Sequence, residues 1–239
     1  MVTDALDALR AATRARVALG RAGDSLPTDR LLELRAAHAF ARDAVHDPLD
    51  PSTLGLPDAL LVHSAAADRA EYLQRPDLGR LLAPGTELPH GEHDVAFVIA
   101  DGLSPLAVRS HAVPVLRAVL ERLDGWDVAP VVIAEQARVA LGDRVAVALG
   151  ARMVVVLVGE RPGMSSTDSL GLYLTHDPRP GTPDSARNCL SNVRPPHGTG
   201  YEAAATTLVM LMTEARRRGL SGVRLKADAA LPPGPAPER

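Results

Sequence analysis

The chain has 239 residues and a formal net charge of −3, so it is long enough to bury roughly 70% of its unfolded surface in one sizeable core. The sequence contains neither a basic block nor an alternation of aromatic and basic residues, which argues against nucleic-acid and membrane partners. The single cysteine, Cys189, excludes an intrachain disulfide framework and a cysteine-based zinc site, and we expect an intracellular, soluble protein.

The first 90 residues are expected to form an N-terminal helical region. Apolar residues recur at helical spacing among arginines and alanines over residues 4–20 and again over residues 28–45, and each stretch predicts an amphipathic helix. Residues 47–57 are rich in proline and aspartate and predict a loop. We therefore assign residues 1–90 to this region and begin a second one at residue 91.

From residue 91 the pattern changes to strand, loop and helix, repeated three times. Apolar runs at residues 94–100, 130–134 and 153–158 predict buried strands. Ser104 and Pro105 predict the start of a helix that extends to Leu123, and a second helix is expected over residues 137–149. This alternation predicts an α/β fold with a mostly parallel sheet and flanking helices, which is Rossmann-like.

The C-terminal part adds weaker elements to this domain. Residues 168–175 predict a further strand, Thr182 and Pro183 can start a short helix, and residues 201–218 predict a strong amphipathic helix that ends at Gly219. The α/β domain is therefore assigned to residues 91–228. Residues 229–239 are rich in proline and are predicted to be a disordered tail without a role.

An acidic side chain follows each of the three predicted strands. These side chains are Asp101, Glu135 and Glu160. Because the carboxyl ends of parallel strands meet at one edge of a sheet, and ligands bind just outside that edge, this edge is the predicted site. The alternative is that each acid only caps or solvates a strand end. Neither a His-x-x-His nor a Glu-x-x-His pattern accompanies the acids, so a metal site is not expected.

Other residues have both a functional and a structural interpretation. Gly102, Gly159 and Gly163 could let a bulky ligand approach the backbone, but ordinary turn geometry is favoured because the glycine motifs of nucleotide-binding loops are absent. Cys189 could be a nucleophile, but a small packed side chain is favoured because a nucleophile would need a nearby base. Several polar side chains could hydrogen-bond a ligand or simply form turns: Ser165, Ser166, Ser169, Ser191 and Asn192.

Five segments resemble the small-subunit family of ethanolamine ammonia-lyases, and together they span about residues 28–226. The segments are residues 94–108, 136–143, 158–163, 184–192 and 219–223. The resemblance implies a radical lyase that uses adenosylcobalamin to convert ethanolamine into acetaldehyde and ammonia and is active only as a hetero-oligomer with a large subunit. That large subunit would supply the substrate pocket, and this chain would hold the cofactor. It would then act in the cytoplasm, either free or inside a bacterial microcompartment.

The family's cobalamin contacts correspond to three residues of this sequence. They are Val139 in the segment 136–143, Glu160 in the segment 158–163 and Cys189 in the segment 184–192. Glutamate can accept hydrogen bonds from the amide groups of a corrin, and valine and cysteine can make apolar contacts. The Asp-x-His-x-x-Gly pattern, by which a histidine replaces the lower base of cobalamin, is absent from the sequence. The cofactor is therefore expected to keep its own benzimidazole base.

Two other functions remain open from the sequence. A self-contained α/β enzyme for a small polar substrate could use Asp101 or Glu160 as a general acid or base. A subunit that serves assembly alone, with helices that only bind a partner, is the third hypothesis. It ranks last because it gives no reason for the polar strand ends.

Overall fold

The structure is a computed structural model that describes residues 6–13 and 15–226. Six strands form one sheet: β1 (Leu60–His63), β2 (His93–Ala100), β3 (Val132–Glu135), β4 (Ala151–Gly159), β5 (Leu170–His176) and β6 (Arg187–Val193). Their order across the sheet is β1-β3-β2-β4-β5-β6. The predicted α/β class is confirmed.

Parallel pairing holds for only part of the sheet. Strands β1, β3, β2 and β4 are parallel to one another, whereas β5 runs antiparallel to β4 and β6 runs antiparallel to β5. The expectation of a mostly parallel sheet is therefore correct for four strands and wrong for the last two. The connections after β4 and β5 are too short for a crossover helix, so the chain must return antiparallel.

Seven α-helices accompany the sheet in the described part of the chain: α1 (Asp7–Ala12), α2 (Thr28–His46), α3 (Arg69–Gln74), α4 (Pro105–Ala107), α5 (Val113–Leu120), α6 (Leu141–Leu149) and α7 (Tyr201–Arg218). Single 3-10 turns occur at Pro51–Leu54, Leu78–Arg80, Asp184–Ala186 and Gly222–Arg224. Helix α7 has the predicted bounds, and Gly219 ends it with a left-handed φ of 65°.

Two hydrophobic layers cover the central strands. Side chains alternate along β2, so Val95, Phe97 and Ile99 pack with α5 and α7 on one face, and Ala96 and Val98 pack with α6 on the other. Strand β4 alternates in the same way. Both strands are apolar from their third residue onward because both of their faces are buried there.

The helix after β2 begins as expected but is not regular. The hydroxyl of Ser104 accepts a hydrogen bond from the backbone N–H of Ala107, which caps α4. A π-helical turn at Val108–Ala112 joins α4 to α5. Pro114 follows this turn, has no N–H to donate to the carbonyl of Ser110 and would clash with it in a regular helix, and the wider turn avoids both problems.

The N-terminal region contains more than helices. Helix α2 matches its prediction, but α1 is shorter than the predicted 4–20 helix, because its exposed Leu9 has no core to pack against. Strand β1 and helix α3 were not predicted, and β1 pairs with β3 of the sheet. The division of the chain at residue 90 stays a prediction. Residues 4, 5 and 14 of the predicted first helix and the predicted tail at 229–239 lie outside the described residues.

Helix α2 packs poorly for its length. It has 19 residues, and the one buried residue in it is Ala41. Leu32 and Phe40 leave 58% and 68% of their surface exposed. The C-terminal end of the helix is held more firmly, because the side chain of Arg69 donates a hydrogen bond from Nε to the carbonyl of Val45 at 2.8 Å.

Candidate functional site

Asp101, the first of the three strand-end acids, is part of the protein interior. Its side chain is almost fully buried and accepts hydrogen bonds from the backbone N–H groups of Gln136 and Ala137, both at 2.9 Å, and from the guanidinium of Arg69 at 3.2 Å. Burial raises the pKa of this carboxyl to about 6, although these donors oppose the shift. Asp101 therefore holds the turn after β3 in place and does not present its carboxylate to a ligand.

The same contacts explain why α6 begins later than predicted. Gln136 adopts a left-handed φ of 53°, and its N–H and that of Ala137 are turned toward Asp101. Residues 136–140 therefore form a turn, and the helix starts at Leu141 instead of residue 137. Val139 lies in this turn.

Glu160 is the strand-end acid that sits in a polar cluster. Its carboxylate accepts hydrogen bonds from the hydroxyls of Ser169 and Ser191, the latter at 2.5 Å, and from the backbone N–H of Asn192 at 3.3 Å. A carboxylate has about four acceptor positions, and these three donors leave one for a ligand. Ser169, in the segment after β4, and Ser191 and Asn192, in β6, thus orient the Glu160 side chain, a role that the sequence did not indicate.

Val139 and Glu160 line the same open cleft, whose volume is about 440 Å³. The cleft lies beyond the carboxyl ends of β2 and β4, at the sheet edge that the sequence indicated. Glu135, the third acid, is the last residue of β3. It pairs with His63 of β1 and does not line the cleft. The lining residues are Tyr72, Gly102, Leu103, Arg138, Val139, Val158, Gly159, Glu160, Arg161, Tyr173 and Ser191.

Cys189 lies next to this cleft without lining it. It is opposite Tyr173 in the register of β5 and β6, and the hydroxyl of Tyr173 donates a hydrogen bond to its sulfur. Desolvation by the surrounding protein raises the pKa of the Cys189 thiol, and the Tyr173 hydrogen bond opposes that shift. The residue is exposed but remains a thiol at neutral pH, which disfavours a role as a nucleophile.

These residues share one face of the sheet. Tyr173 and Val139 both pack at the margin of the layer that contains α6, and Cys189 and Ser191 follow Tyr173 on that side of β6. Leu172 and Leu190, which alternate with them, point into the opposite layer beneath α7. Helix α6 meets β6 at Arg187, whereas Cys189 and Ser191 farther along the strand are exposed, so this part of the face forms a surface continuous with the cleft.

The glycines at the strand ends allow two backbone segments of the chain to pack closely against each other. A Cβ atom on Gly102 would lie 2.3 Å from the carbonyl oxygen of Gly159, and one on Gly159 would lie 2.1 Å from the carbonyl oxygen of Ser104. Gly102 also has a left-handed φ of 57°. Their small size lets the segments after β2 and β4 touch. Gly163 closes a tight turn with Ser166, as ordinary turn geometry requires.

The sequence did not predict that two arginine side chains stack on the ring of Tyr72. The Cζ atoms of Arg69 and Arg138 lie 4.9 and 4.6 Å from the ring centroid of Tyr72. Tyr72 is fully buried and donates a hydrogen bond from its hydroxyl to the carbonyl of Ala137 at 3.1 Å. Arg69 and Tyr72 lie 69 and 66 positions before Arg138 in the sequence, and the two segments share no motif, so only the fold brings them together.

A buried ion pair connects α6 to β6. The guanidinium of Arg187 donates two hydrogen bonds to Asp143, both at 2.7 Å, and others to the hydroxyl of Thr175 and the carbonyl of Thr182. The Arg187 and Asp143 side chains are 2% and 1% exposed. This pair fixes the antiparallel strands against the helix that borders the cleft.

Two kinds of feature are absent from the part of the chain that the structure describes. None of the helices in residues 6–13 and 15–226 has the length and apolar character needed to cross a membrane. In the same part of the chain, histidine, cysteine and carboxylate side chains do not gather in threes in a way that could hold a metal ion.

The family model and the individual relatives that match this chain all belong to one family. The family model described as "Ethanolamine ammonia-lyase light chain (EutC)" matches residues 3–226. The ethanolamine ammonia-lyase small subunit of Ralstonia nicotianae is 57% identical over 94% of this chain and 89% of its own length. Those of Azotobacter vinelandii and Rhodococcus erythropolis are 57% and 50% identical, over 92% and 91% of this chain and 87% and 88% of their own lengths. The chain belongs to the ethanolamine ammonia-lyase light-chain, or small-subunit, family.

Proposed function

We propose that this chain is the small subunit of an adenosylcobalamin-dependent ethanolamine ammonia-lyase and that it holds the cofactor against a catalytic large subunit. The observation that carries the proposal is the cleft shared by Val139 and Glu160, with Cys189 on the adjoining face of the sheet. All three positions were inferred from the family resemblance, and they come from separate segments of the chain.

The residues around the cleft fit the chemistry of a cobalamin. A corrin carries many amide groups, and the Glu160 carboxylate has an acceptor position left for an amide N–H. Val139 offers an apolar contact, and the uncharged Cys189 thiol offers another. Arg138 adds a positively charged side chain to the lining of the cleft. Such a set combines an apolar surface with a few fixed polar groups, as cofactor sites do.

The protein's part in the reaction would be binding and orientation. When bound, adenosylcobalamin supplies the radical chemistry by homolysis of its cobalt–carbon bond. Glu160, held by Ser169 and Ser191, would fix the rotation of the corrin relative to the sheet. Val139 and Cys189 would exclude water from one side of the ring. None of these three residues needs to transfer a proton.

The partner in this proposal is the large subunit, which the names of the relatives imply by contrast with "small subunit". We propose that the complex acts in the cytoplasm, either free or in a microcompartment. The alternative of a self-contained enzyme loses support from the burial of Asp101, because its carboxylate is already committed to Arg69 and two backbone N–H groups. Glu160 would be its remaining acid.

Reconstitution tests the proposed subunit role. Ethanolamine turnover with adenosylcobalamin is measured anaerobically with this chain alone, with a large subunit alone and with the two co-expressed, using acetaldehyde as the readout. We expect activity only in the mixture. Turnover by this chain alone without cobalamin would instead support the self-contained enzyme.

A substitution tests the role of Glu160. In the reconstituted complex, we expect Glu160→Gln to weaken adenosylcobalamin binding about 10- to 100-fold, because hydrogen bonds to a charged group contribute about 1.5–3 kcal/mol. Glu135→Gln is the matched control, since it removes an acid from the end of β3, outside the cleft, and it should leave the affinity unchanged. Equal affinities for all three proteins would contradict a cofactor-binding role and favour a subunit that serves assembly alone.

A further inference from the structure

Arg138 is held rigidly at the wall of the cleft. Its backbone N–H donates a hydrogen bond to the carbonyl of Gly79 at 2.8 Å, and its guanidinium lies over the ring of Tyr72. The aliphatic part of the side chain crosses Gly79 closely, since a Cβ there would be 2.9 Å from its Cγ. A guanidinium fixed in this way loses little conformational entropy when it binds a ligand.

The charge of Arg138 is not neutralised by the protein. Among the described residues, Arg138 forms no ion pair with a carboxylate, although its side chain lines the cleft. Arg69, on the same tyrosine, differs: it forms an ion pair with Asp101 and donates to two backbone carbonyls. An arginine that is fixed in the lining of a cleft and has no carboxylate partner is suited to bind an anion there.

The position of Arg138 limits which anion this can be. It precedes Val139 in the chain, and Glu160 lines the same cleft. The peripheral groups of a cobalamin are neutral amides and hydroxyls apart from one anion, the phosphodiester that joins the corrin to its nucleotide. A planar guanidinium donates two parallel hydrogen bonds to phosphate oxygens, which a lysine cannot do.

We propose that Arg138 binds the phosphodiester of the cofactor's nucleotide tail, and this inference rests on the function proposed above. Glu160 then accepts from a corrin amide, while Arg138 fixes the tail, so the two opposite charges determine which way round the cofactor lies. Arg161 also lines the cleft, but it is exposed and makes none of the contacts that fix Arg138.

The test uses the reconstituted complex and two ligands. Dissociation constants are measured by absorbance titration for adenosylcobalamin and for adenosylcobinamide, which lacks the phosphate and the nucleotide. We expect Arg138→Gln to weaken cobalamin binding about 10- to 100-fold and to leave cobinamide binding within a factor of two or three. Arg138→Lys keeps the charge without the planar fork, and we expect it to fall between the wild type and Arg138→Gln.

Controls separate this inference from the proposed function and from misfolding. Arg152→Gln removes a positive charge near the opposite end of β4 and should bind both ligands as the wild type does. Equal losses for both ligands in Arg138→Gln, unchanged affinity for both, or a selective loss in Arg161→Gln instead would overturn the inference and leave the proposed function standing. Failure of the wild-type complex to bind adenosylcobalamin would overturn both.

Discussion

Polar residues have different environments in the parallel and antiparallel halves of the sheet. In the parallel half, helices cover both faces, and the carboxylate of Asp101 is enclosed by partners from the protein itself. In the antiparallel half, α7 covers one face, and Tyr173, Cys189 and Ser191 line the other beside the cleft. An acid at the end of a strand is therefore available to a ligand only where a face of the sheet is left open, as it is at Glu160.

The largest effect should come from removing the ion pair between Asp143 and Arg187, which connects α6 to the antiparallel strands. We expect Asp143→Ala to lower the free energy of unfolding by about 3–5 kcal/mol, because Arg187 would keep its charge in the interior without a partner. Urea unfolding measures the change. Asp184→Ala is the matched control, since it removes an exposed carboxylate 3.4 Å from Nε of the same arginine and should cost less than about 1 kcal/mol. Similar losses for both variants would contradict the distinction.

The parallel half should also show a pH dependence that comes from Asp101. Its pKa is raised from 3.8 to about 6 in the folded protein, so the folded state binds the proton more tightly than the unfolded chain does. This contribution to the stability is present in full below pH 4 and is lost as the pH rises to 6, by about 3 kcal/mol. In Asp101→Asn that contribution is absent. The free energy of unfolding of the wild type, relative to that of the variant, should therefore decrease between pH 4 and 6. A constant difference would contradict the raised pKa.

A single added methyl group should perturb the open half without unfolding it. A Cβ on Gly171 would lie 3.0 Å from Oε1 of Glu160 and 2.9 Å from the ring of Tyr173. Both side chains border the cleft and can move, so we expect Gly171→Ala to cost less than about 1.5 kcal/mol of stability but to reduce adenosylcobalamin affinity about tenfold. Gly163→Ala, whose Cβ would be at an ordinary 3.5 Å from Ser166, should change neither quantity. Unchanged affinity in Gly171→Ala would contradict the orientation assigned to Glu160.

The smallest effect concerns the reactivity of Cys189. Because its pKa is raised, we expect alkylation by iodoacetamide to be slower at pH 7 than for a cysteine in an unstructured peptide, and to accelerate only above pH 9. Tyr173→Phe removes the hydrogen bond that stabilises the thiolate, so the reaction should become slower still. A rate that exceeds the peptide rate at pH 7 would show an activated thiol and reopen the nucleophile interpretation.

Local pattern predicted the elements with clearly defined buried faces. The runs that became β2 and β4 and the amphipathic α7 were found because their periodicity reflects which faces are covered. Strand β1 is short, and its Leu61 is exposed, so it carries no such signal. Strand β6 alternates polar residues on its open face, and the sequence therefore did not distinguish it from a loop.

The location of the site could be predicted from the sequence, but the residues that form it could be predicted only in part. The edge and Glu160 followed from the strand ends, whereas Val139 and Cys189 came from the family resemblance. The sequence placed Asp101 in the same acid set, because position along a strand does not reveal which donors the fold brings to a carboxylate. The stack of Tyr72 and Arg138 depends on contacts between distant segments, which neither composition nor spacing encodes.

Helix α2 will not share the protection of the core against exchange with solvent deuterium. With Ala41 as its one buried residue and Phe40 exposed, little tertiary packing opposes unwinding of its N-terminal turns. The bond from Arg69 to Val45 holds the other end. Its amides will exchange by local opening, fastest at the N-terminus and progressively slower toward Val45, while those of β4 will wait for the whole domain to unfold.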